Sequence, residues 1–277
     1  MIVALVILDR LAANLQDKPS YFSELAPGKS VIEQVVSTVV RGPFAGTVVA
    51  SLVEYFDRAQ EHLHGFAIHP LKVANPKAGV HAPIIDGLNF ADSFRERWEK
   101  ARAAASARFT DDEDDEDDEE APAPISGRKS NGTHRGAKKK ADWAKHRDSK
   151  DVKLRGLARS FDRNGVILFR GDRPAITVNL QAQIVEAFGR EGADKGPKAR
   201  SFAQAVHNGV RGYPVLMSFE AAREVAALPA ATKFDDWLLQ NIQRVQDVNT
   251  DEWGAVAEVR DSESLAQIAE RLRSRQS

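Results

Sequence analysis

One segment, residues 165–177 (GVILFRGDRPAIT), constrains the fold of this 277-residue chain more than any other. The apolar run at 166–169 is too short for a helix and rich in β-branched and aromatic residues, which predicts a buried strand. Gly171 and Pro174 end that strand, so Asp172 stands where the chain leaves the sheet. Ligands of open α/β sheets bind beyond the carboxyl ends of the strands, where a carboxylate can hold a divalent cation on nucleotide phosphates. An Asp beside a turn proline is also a common turn former, so the motif alone leaves both roles open.

Strand and helix patterns alternate along the chain, which predicts a layered α/β domain with mainly parallel strands. The apolar run Ile2–Leu8 is typical of a central strand covered on both faces, and we expect it to neighbour the strand at 166–169. Ser30 and Glu33 form the pattern of a capping box at the start of a helix. Further strands are predicted at 47–53, 66–73, 201–206 and 256–259, and helices at 30–40, 54–64, 84–108, 180–188, 219–227, 234–245 and 262–273, the last with Ser262 as N-cap.

The middle of the chain changes character. Residues 111–120 are ten consecutive acids, and residues 128–150 are rich in lysine and arginine. Such a segment cannot bury apolar surface, which predicts a disordered, charged insertion at 106–154 inside a single domain made of 1–105 and 155–277. Clustered lysines are typical of nucleic-acid contacts. The adjoining acids repel phosphate and Trp143 is the only aromatic residue of the basic half, which argues against nucleic acid and leaves a protein partner open.

Composition limits the remaining classes of protein. A hydrophobic content of 42% is enough for a sizeable core. The absence of cysteine excludes disulfides and thiolate metal sites and fits a reducing compartment. The apolar run at the start has no basic leader and is too short to cross a bilayer. We therefore expect a cytoplasmic protein with no membrane association.

Five motifs, in order along the chain, carry a resemblance to a known family. They are residues 17–36 (DKPSYFSELAPGKSVIEQVV), 69–91 (HPLKVANPKAGVHAPIIDGLNFA), 171–177 (GDRPAIT), 211–218 (RGYPVLMS) and 257–268 (AEVRDSESLAQI). Together they resemble the nucleotidyltransferases of the molybdenum-cofactor and isoprenoid-precursor type, over most of the chain outside roughly 106–153. The resemblance implies a three-layer α/β/α fold with a mixed, mainly parallel sheet, of the glycosyltransferase A-like (nucleotide-diphospho-sugar transferase) type.

The resemblance also implies a chemistry and a site. A nucleoside monophosphate would pass from a nucleoside triphosphate, CTP or GTP, to a small phosphorylated acceptor such as molybdopterin. Asp172 and Glu258 would hold Mg²⁺. Asp172 and Lys18 would be the catalytic residues, Lys18 by stabilising the charge that develops. Arg10 and Lys18 would bind the nucleotide, and Asn75 would position nucleotide or acceptor. From the residues alone, Lys18 is equally a solvated loop lysine, and Asn75, which precedes a proline, fits a turn residue better than a ligand contact.

One departure from the family leaves two functions open. The family begins with a glycine-rich loop, LAAGxSxRMG, whose backbone N–H groups cradle the triphosphate. Residues 8–18 here read LDRLAANLQDK and contain no glycine, at a cost of about 1 kcal/mol or more for each position that needs φ > 0. Glu258 and Arg260 also stand where the family has two aspartates. The missing glycines favour a catalytically silent relative that acts as a binding or scaffold module, whereas Asp172 and Lys18 favour a nucleotidyltransferase.

Overall fold

The structure is a computed structural model that describes residues 1–15, 18–73, 81–110, 164–191, 201–229 and 231–275. Contacts divide the chain into two compact units, one formed by Met1–Ser93 with Ser160–Ser277 and the other by Phe94–Arg159. The acidic and basic runs lie outside the described residues. The predicted domain limits and the predicted insertion therefore stay predictions.

A seven-stranded sheet forms the centre of the first unit, with strands β1 (Ile2–Leu8), β2 (Gly46–Ser51), β3 (His69–Lys72), β4 (Gly165–Arg170), β5 (Phe202–His207), β6 (Val210–Met217) and β7 (Val245–Asn249). The order across the sheet is β7-β5-β6-β4-β1-β2-β3. Strand β6 runs antiparallel to both of its neighbours, and all other pairs are parallel. The predicted mixed, mainly parallel sheet is confirmed. So is the pairing of β1 with β4, both of which are buried along their whole length.

Seven α-helices accompany the strands in the described residues: α1 (Val31–Val39), α2 (Val53–His62), α3 (Ala82–Thr110), α4 (Val178–Glu191), α5 (Phe219–Ala226), α6 (Phe234–Gln240) and α7 (Ser262–Ser274). The predicted capping box of α1 is present, since the Ser30 hydroxyl accepts from the Glu33 N–H and the Glu33 carboxylate accepts from the Ser30 N–H. The core is formed by the central strands and the apolar faces of these helices, including Val6, Ile32 and Ile184. No helix in the described part of the chain is long and apolar enough to cross a membrane.

Three predictions about the last third of the chain were wrong. The helix predicted at 234–245 ends at Gln240, and the chain then forms edge strand β7, whose two valines stand three residues apart (VQDVN) and give no strand alternation. The strand predicted at 256–259 is an irregular segment after a 3₁₀ turn at Trp253–Ala255. The N-cap of α7 is Asp261 rather than Ser262, because the Asp261 carboxylate accepts the Ser264 N–H at 2.7 Å.

Candidate functional site

Two carboxylates from neighbouring strands meet at the carboxyl edge of the sheet. Asp9 follows β1, Asp172 follows β4 after Gly171, and the guanidinium of Arg170, the last residue of β4, lies between them. Arg170 Nε donates to Asp172 Oδ1 at 3.1 Å and Nη2 donates to Asp172 Oδ2 at 2.7 Å. Nη1 donates to Asp9 Oδ2 at 3.4 Å. We call these three residues the Asp–Arg–Asp cluster.

The local sequence explains why the cluster is closed to solvent. Gly171 lies against Leu8 and the ring of Tyr21, so that an added Cβ would contact Leu8 Cδ2 and would stand 3.1 Å from two ring carbons of Tyr21. The Tyr21 hydroxyl accepts the Asp9 N–H at 3.0 Å and stands 3.2 Å from both Asp9 O and Asp9 Oδ1. Asp9 Oδ1 also accepts the Leu11 N–H at 2.8 Å. A small residue at position 171 and a tyrosine hydroxyl thus seal the end of the two strands.

Burial sets the protonation behaviour of the cluster. The side chains of Arg170, Asp9 and Asp172 are only 7%, 1% and 1% exposed. Burial raises the pKa of Asp9 above its ordinary value, although Arg170 and the Leu11 N–H act in the opposite direction. Burial alone would lower the pKa of Arg170, but Asp172 and Asp9 together raise it above its usual value. Arg170 is therefore a permanent cation held by two buried acids.

A second arginine pairs with the other acid predicted to bind metal. Arg173 Nη2 donates to Glu258 Oε2 at 2.8 Å, and its Nη1 donates to the Ala255 carbonyl at 3.1 Å. The Val259 N–H donates to the Asp172 carbonyl at 3.0 Å, which brings the chain around Glu258 next to the end of β4. The structure therefore places Asp172 and Glu258 in adjacent segments, each paired with its own arginine.

A cavity of about 230 Å³ opens beside this second pair. Its lining includes Arg173, Tyr213 and Asp235. The Arg173 guanidinium lies 5.1 Å from the centre of the Tyr213 ring, and the Tyr213 hydroxyl donates to Asp235 at 2.7 Å. Burial and the nearby Asp235 carboxylate raise the pKa of Tyr213 well above its ordinary value, so the phenol stays protonated.

His81, at the start of α3, is only 6% exposed. Its Nδ1 accepts the Phe234 N–H at 3.4 Å, whereas its buried Nε2 has no partner among the described residues. Burial lowers the pKa of His81 below its ordinary value, which keeps the ring neutral with the proton on Nε2.

The remaining predicted site residues have other partners or lie outside the described chain. Lys18 is exposed in a two-stranded ribbon in which it pairs with Leu15. Arg10 is 51% exposed and forms a two-bonded ion pair with Glu54, at 2.9 and 2.8 Å. Asn75 lies outside the described residues. The roles assigned to Lys18, Arg10 and Asn75 stay predictions.

Sequence reasoning missed Asp9 and Arg170. Two signals were available in the sequence. Arg170 ends an otherwise apolar strand, and Asp9 directly follows a second apolar strand. A charge at the buried end of a strand needs a partner, and the parallel pairing of β1 with β4 supplies one.

The two predicted metal ligands do not fit a divalent ion in this conformation. Both oxygens of Asp172 accept from Arg170, and the Glu258 carboxylate accepts from Arg173. In the described part of the chain, no group of three or more His, Asp or Glu side chains is arranged to hold a metal. The assignment of Asp172 and Glu258 as ligands stays a prediction that requires both carboxylates to exchange an arginine for the metal.

A larger cavity, of about 520 Å³, lies between α4 and the ends of β5 and β7. Glu186 and Asp251 line it together with polar residues such as Asn208 and Thr250, and no lysine or arginine is among its described lining residues. Acids at the described lining of this cavity are poorly suited to a triphosphate.

Comparison with known proteins identifies the fold. No family model matches the chain, and none of the curated proteins matches it significantly. Among solved structures, it is similar to a nucleotidyl transferase from Methanothermobacter thermautotrophicus, with 13% identity, a TM-score of 0.57 and 99% of each chain covered. It is also similar to 4-diphosphocytidyl-2C-methyl-D-erythritol synthase from Anaerococcus prevotii, with 11% identity, a TM-score of 0.52, and 99% of this chain and 96% of that chain covered.

A third similar structure is Rv0371c from Mycobacterium tuberculosis in complex with manganese, with 11% identity, a TM-score of 0.53, and 97% of this chain and 98% of that chain covered. At such low identity these likenesses show the fold alone. The described residues therefore have the mixed α/β fold of these nucleotidyltransferases. The particular relation to the molybdenum-cofactor enzymes stays a resemblance of motifs.

Proposed function

We propose that this protein binds a nucleoside triphosphate at the carboxyl edge of its sheet and transfers the nucleotide slowly or not at all. The observation that carries this proposal is the position of Asp172 and its pairing with Arg170. The carboxylate follows β4, where the resemblance expects the acid of a nucleotidyltransferase, yet both its oxygens are bound by Arg170. The fold, shared over nearly the whole length of solved nucleotidyltransferases, supports a nucleotide as the ligand.

Loss of the glycine-rich loop damages transfer more than binding. In the family reaction, a phosphate oxygen of the acceptor attacks the α-phosphorus in line and pyrophosphate leaves. Several preorganised donors must then face the charge that develops, and removing one such donor costs about 3 to 4 kcal/mol of barrier. Binding alone needs fewer contacts, and the altered loop at 8–18 supplies two exposed cations for them, Arg10 and Lys18. Arg10 would first have to leave Glu54.

The identities of the nucleotide, the acceptor and the metal are taken from the resemblance of motifs. The nucleotide would be CTP or GTP and the acceptor a small phosphorylated molecule such as molybdopterin, with Asn75 near one of them. The resemblance also assigns Mg²⁺ to Asp172 and Glu258, which would first have to release Arg170 and Arg173. Because those carboxylates do not fit a divalent ion in the conformation described, nucleotide binding as proposed needs no metal on them. A cytoplasmic location and a protein partner for the charged insertion belong to the same proposal.

Calorimetric titration with CTP, GTP, UTP and ATP, each with EDTA and with Mg²⁺, tests the binding. We expect at least one nucleotide to bind. Lys18→Ala should weaken its affinity about two- to five-fold, as expected for one exposed ion pair. Lys100→Ala, which removes an exposed lysine from α3, is the matched control and should bind as the wild type does.

Pyrophosphate release tests the transfer. We expect turnover far below roughly 1 per second, the low end of ordinary enzymes. Turnover at or above that rate, abolished in Asp172→Ala, would show a working nucleotidyltransferase and overturn the second half of the proposal.

The closed Asp–Arg–Asp cluster also favours a second candidate function, that of a silent binding or scaffold module. All four carboxylate oxygens of Asp9 and Asp172 already have donors within the protein. If none of the four triphosphates binds under either condition, the nucleotide proposal is wrong and this second candidate stands.

A further inference from the structure

We infer that Arg170 is the resident cation of this site and takes the place of a divalent metal between Asp9 and Asp172. The inference deepens the proposed function, since it means that any nucleotide bound here is held without a metal on Asp172. It is tested with metal alone, so that its outcome does not depend on nucleotide binding.

The contacts of Arg170 make it a bridge between the two acids. A guanidinium is planar and presents its N–H groups as a fork that matches a carboxylate. In this structure the fork, Nε and Nη2, is used on Asp172, and the remaining nitrogen, Nη1, reaches Asp9. One cation thus joins acids that follow two neighbouring parallel strands, β1 and β4.

The carboxylate oxygens of both acids already accept hydrogen bonds from the protein. Asp172 offers two oxygens, and both accept from Arg170. Asp9 offers Oδ2 to Arg170 and Oδ1 to the Leu11 N–H and the Tyr21 hydroxyl. A hard divalent ion needs accessible oxygen ligands, and in this arrangement every oxygen of both acids already accepts a hydrogen bond inside the buried cluster.

The charge and the burial of the Asp–Arg–Asp cluster also oppose a divalent ion. The two acids and one arginine sum to a formal charge of −1 at side chains no more than 7% exposed. A divalent ion added to the cluster would meet the guanidinium at close range, where like charges repel strongly at low dielectric. The two kinds of cation therefore exclude each other.

Removal of the arginine should reverse this exclusion. Without the guanidinium, two carboxylates that shared one cation are left buried and unpaired, and oxygen ligands of this kind are those that Mn²⁺ and Mg²⁺ prefer. We expect Arg170→Ala to create a divalent cation site that the wild type lacks.

Electron paramagnetic resonance of free Mn²⁺, titrated with the full chain and without nucleotide, tests the inference. We expect no site in the wild type that depends on Asp172, and one site per chain in Arg170→Ala with at least tenfold higher affinity than any wild-type binding. The gain should disappear in the double variant Arg170→Ala/Asp172→Asn. Arg244→Ala, which removes the arginine that pairs with Glu224, is the matched control and should gain nothing.

Two results would overturn the inference. One is a stoichiometric Mn²⁺ site in the wild type that Asp172→Asn abolishes, and the other is a folded Arg170→Ala chain with no gain in Mn²⁺ binding. If Arg170→Ala does not fold, Arg170→Met, which keeps the volume of the side-chain stem, replaces it, and the wild-type titration remains decisive. A failure of nucleotide titration leaves these results unchanged.

Discussion

Arg170 and Asp172 stand two residues apart at the end of β4 and form a two-bonded ion pair with distances of 3.1 and 2.7 Å, almost wholly removed from solvent. Their spacing places both side chains on one side of the departing chain, where Asp9 from β1 completes the cluster. This relationship turns a candidate metal-binding acid into half of an internal salt bridge.

Breaking this pair should cost far more stability than breaking an exposed one. Asp172→Ala leaves Arg170 buried with only its longer contact to Asp9, and we expect the free energy of unfolding to fall by about 3 to 5 kcal/mol. Glu224→Ala, which removes a half-exposed partner of Arg244, should cost no more than about 1 kcal/mol. Urea denaturation of both variants checks this, and equal losses would contradict a closed cluster.

The central strands should not tolerate a charge. Val6 in β1 and Leu168 in β4 are both fully buried, so Val6→Asp or Leu168→Asp should lower the free energy of unfolding by several kcal/mol. Val210→Asp, at a valine of β6 that is 58% exposed, is the matched control and should change stability by about 0.5 kcal/mol or less. Near-wild-type melting of the two core variants would refute their place in the sheet.

The charged segment should be removable. The helix α3 ends at Thr110, and the sequence predicts that residues 111–150 form a charged loop. We expect a chain lacking them to keep its cooperative thermal unfolding, since the closure cost of a loop changes by only about 0.6 kcal/mol when its length is halved. Loss of folding on excision, or cooperative folding of each half expressed alone, would show that the chain is not one domain interrupted by an insertion.

The buried His81 should make stability fall on acidification. Burial lowers its pKa in the folded protein, so below the ordinary value of about 6.5 the unfolded chain binds the proton more strongly. The contribution of neutral His81 is therefore fully present above about pH 6.5 and is lost as the pH falls towards the folded-state pKa. His81→Asn keeps an acceptor for the Phe234 N–H and removes the titration.

Urea denaturation of wild type and His81→Asn between pH 7.5 and 5.5 measures this effect. We expect the wild type to lose stability relative to the variant across that range, with both normalised at pH 7.5. Parallel profiles would mean that the environment of His81 does not penalise its charged form.

Much of the fold could be predicted because its signals are local. Every residue of Ile2–Leu8 is apolar, whereas a half-exposed strand needs apolar residues only at alternate positions. A central position in the sheet therefore followed from the composition of this run alone. The capping box of α1 lies within four residues of sequence, and the structure has it. Strand β7 could not be predicted in the same way, because its valines stand three residues apart instead of two and its pairing partner β5 lies some forty residues earlier.

The candidate site was also predictable only where its signals are local in the sequence. The sequence by itself determined that an aspartate follows a buried strand after Gly171, and that no glycine is available in the loop after β1, since both are properties of adjacent residues. Only the tertiary structure decided what Asp172 does, because its partner Arg170 also needs Asp9, 161 residues away in the sequence. Parallel pairing of β1 with β4 brings the two acids to one guanidinium, and burial makes that pairing costly to leave. The order of the residues thus placed an acid at the edge of the sheet, and long-range packing bound it to an arginine.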